Sequence, residues 1–192
     1  MSNQQKKNEL LVESSAYKRY DTQINLRQVS YYLCSEIVEP MAYTELFHTL
    51  RTATEHDVIF LHINSPGGNF DAGLQIINNM RASPAHVITV LEARAYSMAA
   101  MIFLAGDELI VHDNCELMLH NYSGSLIGKG NEQYAQVIAT EKWFHKVMQR
   151  SCHPFLSKSE IEQILAGQDI WMDSDEITRR LKKTNPLKSA KK

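Results

Sequence analysis

The chain has 192 residues, 44% of them hydrophobic and 22% charged, with a net charge of −2. This is the make-up of one ordinary globular domain with room for a sizeable core, and the near-neutral balance argues against nucleic acid as the main partner. The opening MSNQQKKNELLVESS lacks the apolar stretch of a secretory signal, and the longest apolar run, Met98–Ala105, is far short of the ~18–20 residues that cross a membrane. Cys34, Cys115 and Cys152 are odd in number and show no metal-ligand spacing, which implies reduced thiols, no metal site and a cytoplasmic setting.

Residues 1–27 are polar and weakly patterned and read as an N-terminal arm. Strand and helix patterns then alternate. Val29–Cys34 is β-rich, and Met41–Thr52 follows Pro40 with apolar residues at helical spacing. Val58–Ile63 is a nearly continuous apolar run, as expected of a strand covered on both faces. A helix over Asp71–Arg81, a strand at Val87–Leu91 and a helix over Ser97–Ala105 come next, then strands near Glu108–Val111 and Leu117–His120. A glycine-bearing stretch, Ser123–Gly130, leads into a long helix over Asn131–Ser151. Ser157 and Glu160 have capping-box spacing and open another helix, and a last one covers Ser174–Lys183. The alternation predicts helices packed on a mainly parallel sheet, with the long helix as an appendage. The end of the chain, residues 184–192, is a basic tail.

Two segments carry chemistry. Ser97 follows a strand and a short turn, Glu92–Tyr96, and opens a helix, where free backbone N–H groups favour the oxyanion of acyl transfer. Taken by itself, a serine there is more often a plain N-cap. Asn64-Ser-Pro-Gly-Gly68 directly follows an apolar strand and could supply half of an oxyanion hole, or could simply turn the chain. A nucleophilic serine needs a base. Of the eight histidines, His112 and His120 sit at strand ends, where function gathers. Residue patterns alone do not choose between them. Nor do they choose an orienting acid from Asp107, Asp113, Asp169, Asp173, Asp175 and Glu176.

From about Val29 to Glu176 the sequence resembles the Clp peptidase (ClpP) family. The resemblance rests on Phe60–Gly68, Ala95–Ala100 with Leu104-Ala-Gly106, Leu117–Asn121, Gly124–Gly130 and Asp169–Glu176, in the family's order and spacing. It implies an α/β fold, a ClpP/crotonase-like spiral of ββα units, with a protruding handle made of a strand and a long helix over about 121–152. The peptidase domain would span 28–183. Ser97 would be the nucleophile, His120 the general base and Asp169 the residue that orients the imidazole. The N–H groups of Gly68 and Met98 would form the oxyanion hole. The resemblance further implies no cofactor, a homo-oligomeric ring or double ring of heptamers and polypeptide substrates. An AAA+ unfoldase would be the partner, and neither nucleic acid nor a membrane is implied. Phe60 and His62 would belong to the surface that receives the partner, and Gly124 to the substrate-binding start of the handle.

Departures mark a divergent member, of a kind a phage or plasmid could carry. Tyr96 stands beside Ser97 where the family has a small residue, His62 replaces an aromatic one, and the end of the chain is lysine-rich. These departures also support a catalytically silent ring subunit or adaptor. An acyl-CoA enzyme of the crotonase fold and a serine–lysine peptidase are further alternatives.

Overall fold

The computed structural model describes residues 26–184. Nearly all of the polar arm and of the basic tail expected from the sequence lies outside the described residues. The sheet has six strands, ordered β1-β2-β3-β5-β6, with β4 also paired to β3. These are β1 (Gln28–Leu33), β2 (Val58–Ser65), β3 (His86–Tyr96), β4 (Glu108–Val111), β5 (Glu116–Leu119) and β6 (Ile170–Asp173). All pairings are parallel except β5 with β6.

Strand β3 organises the sheet. One edge is taken by β2 from His86 to Ala95. The other is shared: β4 pairs with Ile88–Leu91, and β5 takes over at Arg94–Tyr96. The long strand therefore turns the chain from one layer into the next, as a spiral of ββα units requires. Strand β2 alternates buried and half-buried residues, with Ile59, Leu61 and Ile63 facing the core.

Helices α1 (Thr44–Thr52), α2 (Phe70–Ala82) and α3 (Met98–Leu104) cover the inner face. Helix α1 contributes Leu46, Phe47 and Leu50, one apolar face at helical spacing. Helix α2 starts where Asn69 accepts a hydrogen bond from the Ala72 N–H at 2.9 Å. Helix α3 is buried on every side from Met98 to Phe103, the pattern of a central helix.

The handle helix α4 (Gly130–Cys152) buries only residues near its C-terminal end, Phe144, Met148, Ser151 and Cys152. At about 1.5 Å per residue it is roughly 34 Å long, so most of it stands clear of the core. Among the described residues the strand expected of the handle is not formed: residues 121–129 have no ladder partner. An extended segment becomes a strand only by pairing, and no neighbouring edge lies alongside this one. The chain closes with α5 (Lys158–Leu165) and α6 (Ser174–Thr184). Ser157 and Glu160 form the expected capping box at the start of α5. Among the described residues no helix is long and apolar enough to cross a membrane.

Candidate active site

The turn from β3 into α3 is held in an unusual backbone conformation. Ser97 has φ 54° and ψ −121°, and it is the one non-glycine residue with positive φ among the described residues. Such a conformation costs of the order of 1–3 kcal/mol and persists only where the surroundings impose it. Here the surroundings do. The Ser97 N–H donates to Met118 O at 2.8 Å, which extends the β3–β5 pairing through the strained residue. On one side Ala95, and on the other Met98–Phe103, lie in the core.

The plain N-cap reading of Ser97 does not hold. Ser97 occupies the N-cap position, but its side chain makes no capping hydrogen bond. Its hydroxyl has no hydrogen-bond partner among the described residues. A strained strand-to-helix turn that leaves a serine hydroxyl unused is the arrangement a nucleophile elbow employs.

The glycine turn after β2 packs directly on this residue. Gly67 has φ +94°, and a Cβ there would come within 2.6 Å of Tyr96 O and 2.8 Å of Ser97 Cβ. Gly68, at φ +139°, would bring a Cβ to 2.3 Å from Ile37 O. Both positions therefore demand glycine. Ile37 N–H donates to Gly67 O and Asn69 N–H donates to Ile37 O, at 2.8 and 2.7 Å. Pairing through Gly67 and Asn69 turns the intervening Gly68 N–H to the opposite side, away from Ile37. Met98 is the first residue of α3, so its N–H has no intrahelical acceptor. Its side chain packs where a Cβ on Gly73 of α2 would stand, 2.1 Å from Met98 Cγ. That contact holds the start of α3 against α2.

The sheet register decides where the histidines and acids fall. Tyr96 pairs with Met118, and Leu119 pairs with Ile170. His120 thus leaves β5 one residue past the last rung, and Asp169 enters β6 opposite it. Both stand at the corner that holds Ser97. His112, the other strand-end candidate, follows β4, which pairs with Ile88–Leu91 far upstream on β3. Its Nε2 lies 3.6 Å from Glu92. Three of the other candidate acids have structural partners. Asp107 accepts from the Val87 N–H and Asp173 from the Glu176 N–H, both at 2.9 Å. Glu176 binds Arg179 and Arg180, which hold its carboxyl below the usual range.

Local structure explains the placement of the two remaining side chains. Asn121 Nδ2 donates to Leu165 O at 3.0 Å, which ties the residue after His120 to the end of α5. Helix α5 ends in a Schellman turn: Gln168 N–H donates to Gln163 O and Gly167 N–H to Ile164 O, with Gly167 at φ +100°. The turn delivers Asp169 into β6. Asp169 is exposed and His120 half-buried, and no side-chain hydrogen bond joins Ser97, His120 and Asp169 among the described residues.

Sequence reasoning missed two features beside this corner. The first is an apolar cavity of about 310 Å³ whose lining includes Phe70, Tyr122, Gly124, Leu126 and Phe144. It opens along the segment that follows His120. Gly124 lines it with open space around its Cα, so no steric demand requires glycine there. The second is a cluster around Tyr96, whose hydroxyl donates to Glu116 and whose ring meets Trp171 edge-on at 5.2 Å. The bulk of Tyr96 beside Ser97 was visible in the sequence, but its partners Glu116 and Trp171 lie on other strands and left no local signal. Phe60 and His62 lie elsewhere, on the face of β2 turned away from the helices. His62 stacks on Tyr32 at 4.6 Å, and its Nδ1 lies 2.6 Å from Glu92 Oε1.

A family model described as Clp protease matches residues 13–179. The ATP-dependent Clp protease proteolytic subunit of Streptococcus suis is 29% identical over 134 residues, 62% of this chain and 62% of that protein. The corresponding subunit of Lactococcus lactis subsp. cremoris is 30% identical over 128 residues, 62% of this chain and 61% of that protein. That of Streptococcus mutans is 33% identical over 127 residues, 63% of this chain and 64% of that protein. The match therefore spans less than two thirds of the length of these relatives.

Proposed function

The chain belongs to the Clp protease family, and on that premise we propose that it is a serine endopeptidase that cleaves unfolded polypeptides inside an oligomeric chamber. The observation that carries this reading is the unused hydroxyl of Ser97 on a strained turn at the corner where His120 and Asp169 enter the sheet.

The chemistry follows from the roles. Ser97 Oγ attacks the scissile carbonyl carbon while His120 takes its proton. The carbonyl oxygen becomes an oxyanion, and the Gly68 and Met98 N–H groups are free to receive it. Asp169 holds the imidazole in the tautomer that can accept the Ser97 proton. Collapse of the intermediate breaks the C–N bond, and His120 returns the proton to the departing amine. Water, deprotonated by His120, then attacks the acyl-enzyme; the bond to Ser97 Oγ breaks, His120 returns the proton to that oxygen, and the second product leaves as the acid. No cofactor enters any step. The cavity beside Tyr122 and Phe144 offers an apolar side chain of the substrate a place to lie.

The three side chains stand at one corner without hydrogen bonds among them, and catalytic hydrogen bonds often tighten only on binding or assembly. Assembly into a homo-oligomeric ring would bring them into reach. The exposed Ile127 and Tyr134 of the handle suit such contacts. A cytoplasmic AAA+ unfoldase, docking near Phe60 and His62, would supply the unfolded chains.

Fluorophosphonate labelling of the full-length protein, with the site located by mass spectrometry, tests the proposal. Label on Ser97 that is lost in His120→Ala is the expected result. Absence of label from an assembled ring would sink it. The missing hydrogen bonds and the bulky Tyr96 favour, as second reading, a silent ring subunit. Native mass spectrometry showing mixed rings with a separate, reactive peptidase would support that one.

A further inference from the structure

Tyr96 is the last residue of β3 and the neighbour of Ser97. Ala95 points into the core, so Tyr96 lies on the opposite face of the sheet. Its partner across β5 is Met118, two residues before His120, and Met118 pairs in turn with Trp171, two residues after Asp169. One row thus crosses the three strands that deliver Ser97, His120 and Asp169.

Tyr96 touches all three. Its hydroxyl donates to Glu116 of β5. Its ring meets Trp171 of β6 at 5.2 Å and an interplanar angle of 69°, a favourable edge-on geometry. The Arg94 guanidinium of β3 sits 5.8 Å from the ring centroid, within cation–π reach. The hydrogen bond to Glu116 raises the phenol above its ordinary range. Strands β5 and β6 pair along all four of their residues, but β5 meets β3 over just three, and β6 reaches β3 only through β5.

We infer that Tyr96 is a positioning residue for the proposed peptidase, clamping β3, β5 and β6 from the outer face so that the strained Ser97 turn, His120 and Asp169 keep their mutual register. The inference rests on the serine peptidase reading above. Trp171 and Glu116 are the two jaws of the clamp, one aromatic and one polar. Tyr96 contacts no reacting atom; it acts through the strands.

The test uses the full chain and the variants Tyr96→Phe, Tyr96→Ala, Trp171→Ala and Trp171→Phe. Three readouts apply: the rate of fluorophosphonate labelling, kcat and KM on an unstructured peptide, and hydrogen exchange at the Ser97 amide. With a clamp, Tyr96→Ala and Trp171→Ala lower labelling and kcat about tenfold while KM stays put, a scale consistent with small misplacement of reacting groups. Tyr96→Phe loses about threefold, and Trp171→Phe returns most of the rate. Exchange at the Ser97 amide, which donates to Met118 O, quickens in the same order. Should Tyr96→Ala not fold, Tyr96→Phe and Glu116→Gln carry the same comparison.

Labelling rates within twofold of the parent, or a loss confined to KM, would overturn the clamp; the latter would make Tyr96 part of a substrate pocket. Failure of the peptidase reading has a different signature. In that case the parent protein takes no label at all, even though the Ser97 amide still responds to Tyr96→Ala.

Discussion

The Ser97 corner and the handle are built on opposite terms. At the corner each small residue is enforced by contact: Gly67 by Ser97 and Tyr96, Gly68 by Ile37, Gly73 by Met98. The handle has space instead. Gly124 and Gly130 have nothing within 4 Å of where a Cβ would stand, and Ile127 is 98% exposed. The lesson is that this chain specifies its Ser97 turn from within, whereas the first half of the handle leaves apolar side chains exposed. Between the two lies the root of α4, where Phe144 packs on Phe70 and Tyr122 at 5.6 and 5.1 Å.

The most forceful way to break this contrast is to add one methyl group on each side. Gly67→Ala forces a Cβ into Tyr96 O and Ser97 Cβ at a φ that alanine disfavours. Labelling of Ser97 should fall by about 100-fold or more, because a shift of about 1 Å in a nucleophile suffices for that. Gly130→Ala, equally open in the handle, should leave labelling unchanged and should not lower the thermal midpoint. Equal effects from the two would erase the distinction.

Next in size is the handle root. Phe144 is 3% exposed, and Phe144→Ala should destabilise the fold by about 3–5 kcal/mol, read from chemical denaturation. Ile127→Ala should not move that midpoint. It should instead weaken any self-association, read by analytical ultracentrifugation, since the residue meets only solvent within its own chain.

The smallest effect concerns a charge network that serves neither region. Glu160 is hydrogen-bonded to Arg180 at 2.6 Å, which draws its pKa down to about 2. A carboxylate lowered on folding adds stability that is complete above its ordinary value of 4.5 and disappears as pH falls toward about 2. The side chains are 24% and 20% exposed, so after solvent screening the contribution is about 1–2 kcal/mol. The thermal midpoint of the parent should therefore drop more steeply between pH 4.5 and pH 2 than that of Glu160→Gln. Parallel curves would show the pair to be neutral.

Much of this layout was legible from residue patterns. The apolar run Val58–Ile63, the Pro-Gly-Gly turn, the Ser157–Glu160 capping box and the long amphipathic segment after Gly130 are each local signals, and each corresponds to an element of the fold. Several boundaries moved: β3 runs on through Tyr96 where the pattern ends a strand at Leu91 and turns over Glu92–Tyr96, and β6 (Ile170–Asp173) has no counterpart among the expected strands. Strand β5 stops at Leu119 rather than His120, because its last rung is with Ile170. The handle strand is absent among the described residues, since a strand exists only with an edge to pair against.

Local pattern also determined that Ser97 opens a helix after a strand, because periodicity and helix-former content are read over a few residues. Whether its hydroxyl caps that helix or stands unused was beyond such reading. A φ of 54° at a serine arises from the packing of Gly67, Met118 and the core around it, all distant in sequence. The separation of His112 from His120 was likewise a tertiary decision. Both end strands, and only the register of β4 and β5 along opposite halves of β3 puts one upstream and the other beside Ser97. Pairing register is a long-range property, set by which edges meet, and it leaves no trace in the residues of either strand alone.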